Sequence, residues 1–216
     1  PEARYPLMIN HGHFARDFRG FSETPPAPGL EGPEQERVER DYAFYEEWTG
    51  PGYPRMLYAK VQHANPYYDD SYAVNSANLG PYGDAITYEL IPEIERRFRG
   101  IGQGWARGMH GGSTGGWEVL GAQIFYPEEY NGVWAACPDV VNFHFYRIVP
   151  LYDAENAYYE QTEWRRIYRP GYRNTLGELR NTFKERNLIE LVIGTNSRSG
   201  GQHDIWPAVF GPVGDD

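Results

Sequence analysis

A glycine-rich run from Gly108 to Trp117 strongly limits how this chain can fold. It contains the pentapeptide Gly-x-Ser-x-Gly, with Ser113 at its centre and Gly111 and Gly115 at its ends. This pattern is typical of a sharp turn from a strand into a helix, where the neighbours of the serine must have almost no side chain. Because 25 of the 216 residues are glycine, the pentapeptide alone is a weak signal, and the segments around it decide its meaning.

Those segments predict the order strand, tight turn, helix. Residues 104–109 are small and mostly apolar, as in a buried strand, and Pro127 ends the helix that follows the turn. We therefore expect Ser113 beside a helix N-terminus, whose amides and dipole favour a developing negative charge. Spacings of three and four residues predict one packed face on this helix, formed by Trp117, Leu120, Gly121 and Ile124.

The rest of the chain alternates in the same way. Apolar runs predict further strands at residues 5–10, 56–61, 132–137 and 188–194. One helix is predicted at 34–48, after Pro33, and another at 84–98, with a kink or local break at Pro92. The second helix repeats an apolar residue every four positions, at Ile86, Leu90, Ile94 and Phe98. Together these elements predict an α/β fold, with a mostly parallel sheet and helices on both faces.

Composition narrows the range of functions. A net charge of −10 argues against nucleic acid and anionic membranes as partners, and no apolar stretch is long enough for a membrane span. The single cysteine, Cys137, excludes an internal disulfide. Eighteen tyrosines and six tryptophans are typical of surfaces that grip sugars, aryl groups or partners, or simply of an aromatic core. The sequence does not determine the oligomeric state.

The length favours one domain over residues 1–216. Within it, residues 150–187 are polar, rich in tyrosine and arginine and only weakly periodic. We expect them to form a cap-like or irregular excursion from the sheet.

Several segments in register resemble the α/β-hydrolase family of esterases that includes the S-formylglutathione hydrolase and feruloyl-esterase types. Residues 5–12 resemble the strand and His-Gly turn before the oxyanion hole, and residues 81–92 resemble the helix before the elbow strand. The same order continues at 111–117, 126–133 and 137–139, so the similarity covers roughly residues 5–145. It implies an α/β-hydrolase-like sheet without its first and last strands, as in a central fragment.

The resemblance implies a serine carboxylic-ester hydrolase without a cofactor. Ser113 would attack a small-molecule or carbohydrate-linked ester and form an acyl-enzyme. The oxyanion hole would use the backbone N–H of Thr114 and one further N–H, from His13 or Phe14.

The general base and its acid partner are harder to place. A serine needs an imidazole base and an acidic partner, and Asp139 and His203 fit the expected chain order of serine, acid and histidine. The alternative places both partners beyond Asp216. A different class of function also stays open, namely a catalytically inactive esterase-like module that binds a glycan or a partner, or acts in an assembly.

The other histidines receive supporting roles. His11 is expected to orient the His-Gly turn. His63 and His110 could line the cleft, but we expect both to be hydrogen-bonded histidines that support it from behind. His11 and His13 together with His203 and Asp204 could be read as a metal site, but their spacing is unusual and no Cys or Glu pair supports it. We therefore expect no metal.

Overall fold

The computed structural model describes residues 3–12, 20–29, 31–65, 68, 70–193 and 202–213, with the backbone alone for residues 202–204. Four parallel strands form the central sheet in the order β2-β1-β5-β6. They are β1 Leu7–His11, β2 Leu57–Val61, β5 Arg107–Gly112 and β6 Gly132–Ala136. Two short strands, β3 Asn75–Ser76 and β4 Gly80–Pro81, pair separately as an antiparallel ladder. The predicted α/β fold with a parallel sheet is confirmed.

Helices lie on both faces of this sheet. Leu7 and Ile9 of β1 point to one face, because side chains two apart on a strand share a face. There they pack in the main core with residues from the helices that flank β5, among them Ile91 and Val119. On the other face, α1 Gly32–Thr49 begins with a proline in its first turn and contacts the sheet where Trp48 meets Tyr58, at a ring separation of 6.0 Å.

A helix with a local widening runs before the 3-10 turn Gly104–Ala106 that leads into β5. It consists of α2 Tyr82–Asp84, a π-helical segment Ala85–Leu90, and α3 Ile91–Phe98. The π-helical segment lies just before Pro92, which agrees with the predicted local break.

The π-helical segment also changes which residues of this helix are buried. The predicted face is wrong at Leu90 and Phe98, which are 40% and 59% exposed. A π-helical turn advances the buried face by five residues instead of four, so the core side passes from Ile86 to Ile91. The buried residues of this helix include Ile86, Thr87, Ile91 and Glu95.

The helix after the turn, α4 Thr114–Phe125, is buried on nearly all sides in its first half. Its buried residues run without a gap from Thr114 to Val119. The expected single packed face is therefore incomplete: Trp117 is buried, but Ile124 is 64% exposed. A helix that is buried all round needs no single apolar stripe.

A buried ion pair ties α3 to the strand that leads to Ser113. Arg107 in β5 donates two hydrogen bonds to Glu95, at 3.0 Å from Nε to Oε1 and 2.8 Å from Nη2 to Oε2. Both residues are at most 5% exposed. Glu129 accepts a third bond from Nη1 at 2.6 Å. These hydrogen bonds to carboxylates raise the pKa of Arg107 and keep its charge satisfied inside the protein.

The region from 145 to 182 forms small antiparallel ladders of short strands. Its strands are β7 Phe145–Tyr146, β8 Val149–Pro150, β9 Tyr159–Gln161, β10 Arg166–Tyr168, β11 Pro170–Arg173 and β12 Leu179–Thr182.

Two helices follow these ladders, and the first of them corrects a strand prediction. The apolar run 188–194 was expected to be a strand, but residues 188–193 belong to α5 Phe183–Ile193, and residue 194 lies outside the described residues. Periodicity cannot separate a short apolar strand from a helix segment, which explains the error. The last helix is α6 Gln202–Phe210. None of the described helices combines the length and hydropathy that a membrane span requires.

Candidate active site

Ser113 occupies the sharp turn between the carboxyl end of β5 and the first residue of α4. Its backbone angles are φ 57° and ψ −123°, a region that non-glycine residues rarely adopt. The turn is anchored to β6, because the Ser113 N–H donates to the carbonyl of Ala136 at 2.9 Å and the Asp139 N–H donates to the Ser113 carbonyl at 3.2 Å. Ser113 itself is exposed to solvent. The strand-turn-helix arrangement predicted from the pentapeptide is present.

The glycines of the pentapeptide are required by close backbone contacts. A Cβ on Gly111 would overlap the carbonyl oxygen of Gly115, and a Cβ on Gly115 would overlap the carbonyl oxygen of His11. A Cβ on Gly116 would lie 2.9 Å from the carbonyl oxygen of Ala136. The turn therefore presses against both β1 and β6, and only glycine allows that approach.

Asp139 brings three hydroxyl groups together at this turn. Its Oδ2 accepts hydrogen bonds from Thr114 Oγ1 at 2.8 Å and from the Tyr72 hydroxyl at 3.0 Å. Its Oδ1 lies 3.4 Å from Ser113 Oγ, which is long for a hydroxyl hydrogen bond. Asp139 therefore lies directly beside the serine, whereas the acid of a catalytic triad bonds to the histidine.

Sequence reasoning missed Tyr72. Its backbone is left-handed, with φ 54°, and its N–H donates to Asp70 Oδ1 at 2.6 Å. Burial and then the neighbouring Asp139 carboxylate raise its pKa, so the hydroxyl stays protonated and donates to Asp139. No motif marks such a residue, because its place depends on tertiary packing.

An aromatic cavity of about 160 Å³ opens beside Asp139. Trp206 stacks on Phe143 with ring centroids 5.3 Å apart and lies 5.0 Å from the ring of Tyr146. The buried indole Nε1 of Trp206 has no hydrogen-bond partner among the described residues. The cavity is lined by Tyr72, Pro138, Asp139, Val140, Tyr146, Arg147 and Trp206.

The structure describes the remaining predicted site residues only in part. His13 and Phe14 lie outside the described residues, and His203 lies in the first turn of α6, where the side chain is not described. Other residues of α6 pack in one apolar cluster with Tyr72 and Trp117. The helix that carries His203 therefore lies against residues next to the turn.

A buried polar cluster lies at the same edge of the sheet. Glu118 Oε2 is 3.6 Å from His11 Nδ1 and 3.5 Å from His63 Nε2. The three residues are between 0% and 7% exposed. Burial alone would raise the pKa of Glu118, but His11 and His63 hold it below its usual range. Burial lowers the pKa of His63, yet Glu118 and Asp70 outweigh this and raise it overall.

The sequence offered weak signals for this cluster. His11 and His63 each follow or end a strand, and Glu118 is the one acidic residue in α4. His110, for which the same role as His63 was predicted, lies outside this cluster. Its Nε2 is 2.9 Å from the Tyr58 hydroxyl, and its Nδ1 is 3.3 Å from Asn10 Nδ2. Burial lowers the pKa of His110.

The fold and the turn together define a parallel α/β protein with an exposed serine at a strained strand-to-helix turn. No family model matches the chain, and neither does any curated protein. Among solved structures it is similar to a ferulic acid esterase, at 20% identity and a TM-score of 0.37. That similarity covers 63% of this chain and 46% of the esterase, so the chain spans less than half of the esterase's length.

Proposed function

We propose that this protein is a serine hydrolase that cleaves carboxylic esters through an acyl-enzyme on Ser113. The observation that carries the proposal is the backbone of Ser113, held at φ 57° and ψ −123° between β5 and α4. This conformation exposes the side chain at the carboxyl edge of a parallel sheet and at the start of a helix. Strain of this kind persists where the surrounding structure enforces it, and it concentrates at functional sites.

The oxyanion of the tetrahedral intermediate would be stabilised at the N-terminus of α4. Thr114 is the first residue of that helix, and the N–H groups of a first helical turn have no partner within their own helix. The second donor would be the N–H of His13 or Phe14, after the turn that follows β1. The close contact between Gly115 and the carbonyl of His11 supports this, because it holds the end of β1 against the elbow.

His203 is the candidate base. Its helix packs against Tyr72 and Trp117, next to the serine and Asp139. Asp139 would then act as the acid near the site, although among the described residues its carboxylate oxygens contact hydroxyl groups. The alternative arrangement uses a base and an acid other than these two residues.

The aromatic cavity beside Asp139 supports a flat, aryl-containing substrate. Aromatic walls favour ring stacking, and the indole N–H of Trp206 provides a hydrogen-bond donor for an oxygen atom of the substrate. An aryl ester placed there would have its carbonyl near Ser113, because Asp139 touches both the cavity and the serine.

Steady-state hydrolysis of p-nitrophenyl esters tests this function. Ser113→Ala removes the nucleophile and is expected to lower kcat/KM by roughly 10³-fold or more. His203→Gln should give a similar loss if His203 is the base. The matched controls are Ser22→Ala, in a loop, and His144→Gln, at an exposed position. Both controls should leave the rate unchanged.

The second candidate is an inactive esterase-like binding module. The observation in its favour is that, within the described part of the chain, Ser113 Oγ makes only a long contact of 3.4 Å with the Asp139 carboxylate and no hydrogen bond to a histidine. This candidate predicts that the folded wild type hydrolyses no ester faster than Ser113→Ala does. If Ser113→Ala abolishes activity but His203→Gln keeps it, the protein is still a serine hydrolase, and its base is a residue other than His203.

A further inference from the structure

His11, His63 and Glu118 leave an unusual number of buried polar atoms without partners. Both ring nitrogens of His11, Nε2 of His63 and both carboxylate oxygens of Glu118 have no hydrogen-bond partner among the described residues. Buried polar groups in folded proteins are nearly always paired, and each exception calls for an explanation. A charged, fully buried carboxylate is costly unless it is paired or coordinates a metal.

The distances in the cluster distinguish hydrogen-bond pairing of Glu118 from metal coordination. An N–H···O hydrogen bond spans about 2.7–3.2 Å, whereas the two imidazole nitrogens lie 3.6 and 3.5 Å from the same Glu118 oxygen. Ligand atoms bound tetrahedrally to zinc at about 2.05 Å are about 3.3 Å from one another. One candidate ligand atom from each of the three residues lies within 4.8 Å of the others. Both nitrogen–oxygen distances exceed the usual hydrogen-bond range and are close to the spacing of zinc ligands.

The surroundings of His63 resemble the outer shell of a metal site. Its other ring nitrogen, Nδ1, lies 3.0 Å from Ser71 Oγ and 3.5 Å from Asp70 Oδ1. A metal-bound histidine commonly donates its second N–H to a carboxylate or hydroxyl, which fixes its tautomer and leaves Nε2 free to bind the ion. The backbone N–H of Ser71 donates to the same Nδ1 at 3.3 Å, which favours a proton on Nε2, and an ion bound at Nε2 would displace that proton.

From these observations we propose that His11, His63 and Glu118 bind one divalent transition-metal ion, with zinc as the best fit. Two imidazoles and one carboxylate are zinc ligands, and a water molecule completes the tetrahedron in sites with three protein ligands. The ion joins the end of β1, the segment after β2 and helix α4. It lies beneath the turn and holds the His-Gly segment in place, so its role is structural and independent of whether Ser113 is a nucleophile.

Metal binding by the purified full chain tests the proposal. After chelator treatment, the wild type should bind about one Zn²⁺ per chain in equilibrium dialysis with elemental analysis, and Co²⁺ should give the intense visible absorption of a tetrahedral site. Glu118→Gln and His63→Gln should each weaken zinc binding at least tenfold. His144→Gln, an exposed histidine, is the matched control, and Ser113→Ala should bind zinc like the wild type.

Thermal unfolding of the wild type provides a test that does not depend on the folding of the variants. A ligand that binds only the native state raises the unfolding midpoint, so added Zn²⁺ should raise it and a chelator should lower it. Absence of zinc binding by the folded wild type, or equal binding by folded Glu118→Gln, would overturn the proposal. The cluster would then be a proton-sharing network in which Glu118 accepts from both histidines.

Discussion

At the scale of single residues, backbone strain is concentrated around the candidate site. Six described non-glycine residues have positive φ. Two of them, Tyr72 and Ser113, contact Asp139, and a third, Cys137, lies two residues before it. Such conformations each cost about 1–3 kcal/mol and persist only where the surrounding structure enforces them. The sequence predicted the sharp turn at Ser113, because flanking glycines mark it. It gave no sign of strain at Tyr72, whose conformation depends on contacts with distant segments.

The strain at Ser113 predicts that its glycine variant is more stable than its alanine variant, the opposite of the usual order. Ser113→Gly should be about 1 kcal/mol more stable than Ser113→Ala, because glycine adopts φ 57° freely and the relief exceeds its extra entropy in the unfolded chain. Urea denaturation of both proteins measures the difference. At Ser22, which is absent from the positive-φ residues, the glycine variant should be less stable than the alanine variant. If the alanine variant is the more stable one at both positions, the backbone of Ser113 is not strained.

At the scale of elements, the parallel strands were predictable and the burial of the helices was less so. Short apolar runs separated by amphipathic helices fixed the positions of β1, β2 and β6 within two residues. The buried face of the helix before β5 was not predictable, because a π-helical turn shifts it by one residue. The run 188–193 is helical because a short apolar segment fits a strand and a helix equally well.

The buried ion pair between α3 and β5 predicts a large stability effect. Glu95→Gln leaves the guanidinium of Arg107 buried with only Glu129 as a charged partner, and should lower the free energy of unfolding by about 3 kcal/mol. Glu93→Gln is the matched control on the same helix, since Glu93 pairs with Arg96 and Arg97 on the surface. Chemical denaturation should show little change for that control. Equal losses of unfolding free energy in both variants would show that the buried pair stabilises the fold no more than a surface pair does.

At the scale of the whole molecule, the polar residues of interest gather at one edge of the sheet. His11 ends β1, His63 follows β2, Ser113 follows β5 and Asp139 follows β6. The carboxyl ends of parallel strands meet at one edge, where open α/β sheets bind their ligands. The sequence predicted the serine and its turn, whereas the partnership of His11 and His63 with Glu118 required the three-dimensional fold. The base stays a prediction, because the side chain of His203 lies outside the described residues.

The most direct test of the central claim is covalent labelling of Ser113. A fluorophosphonate reacts with a serine only where a base and an oxyanion hole activate it. We predict one adduct per folded chain, located by mass spectrometry on Ser113, and none on Ser113→Ala. The Ser22→Ala control should be labelled as fully as the wild type. A folded wild type that remains unlabelled, or a label that persists in Ser113→Ala, would contradict the assignment of Ser113 as an activated nucleophile.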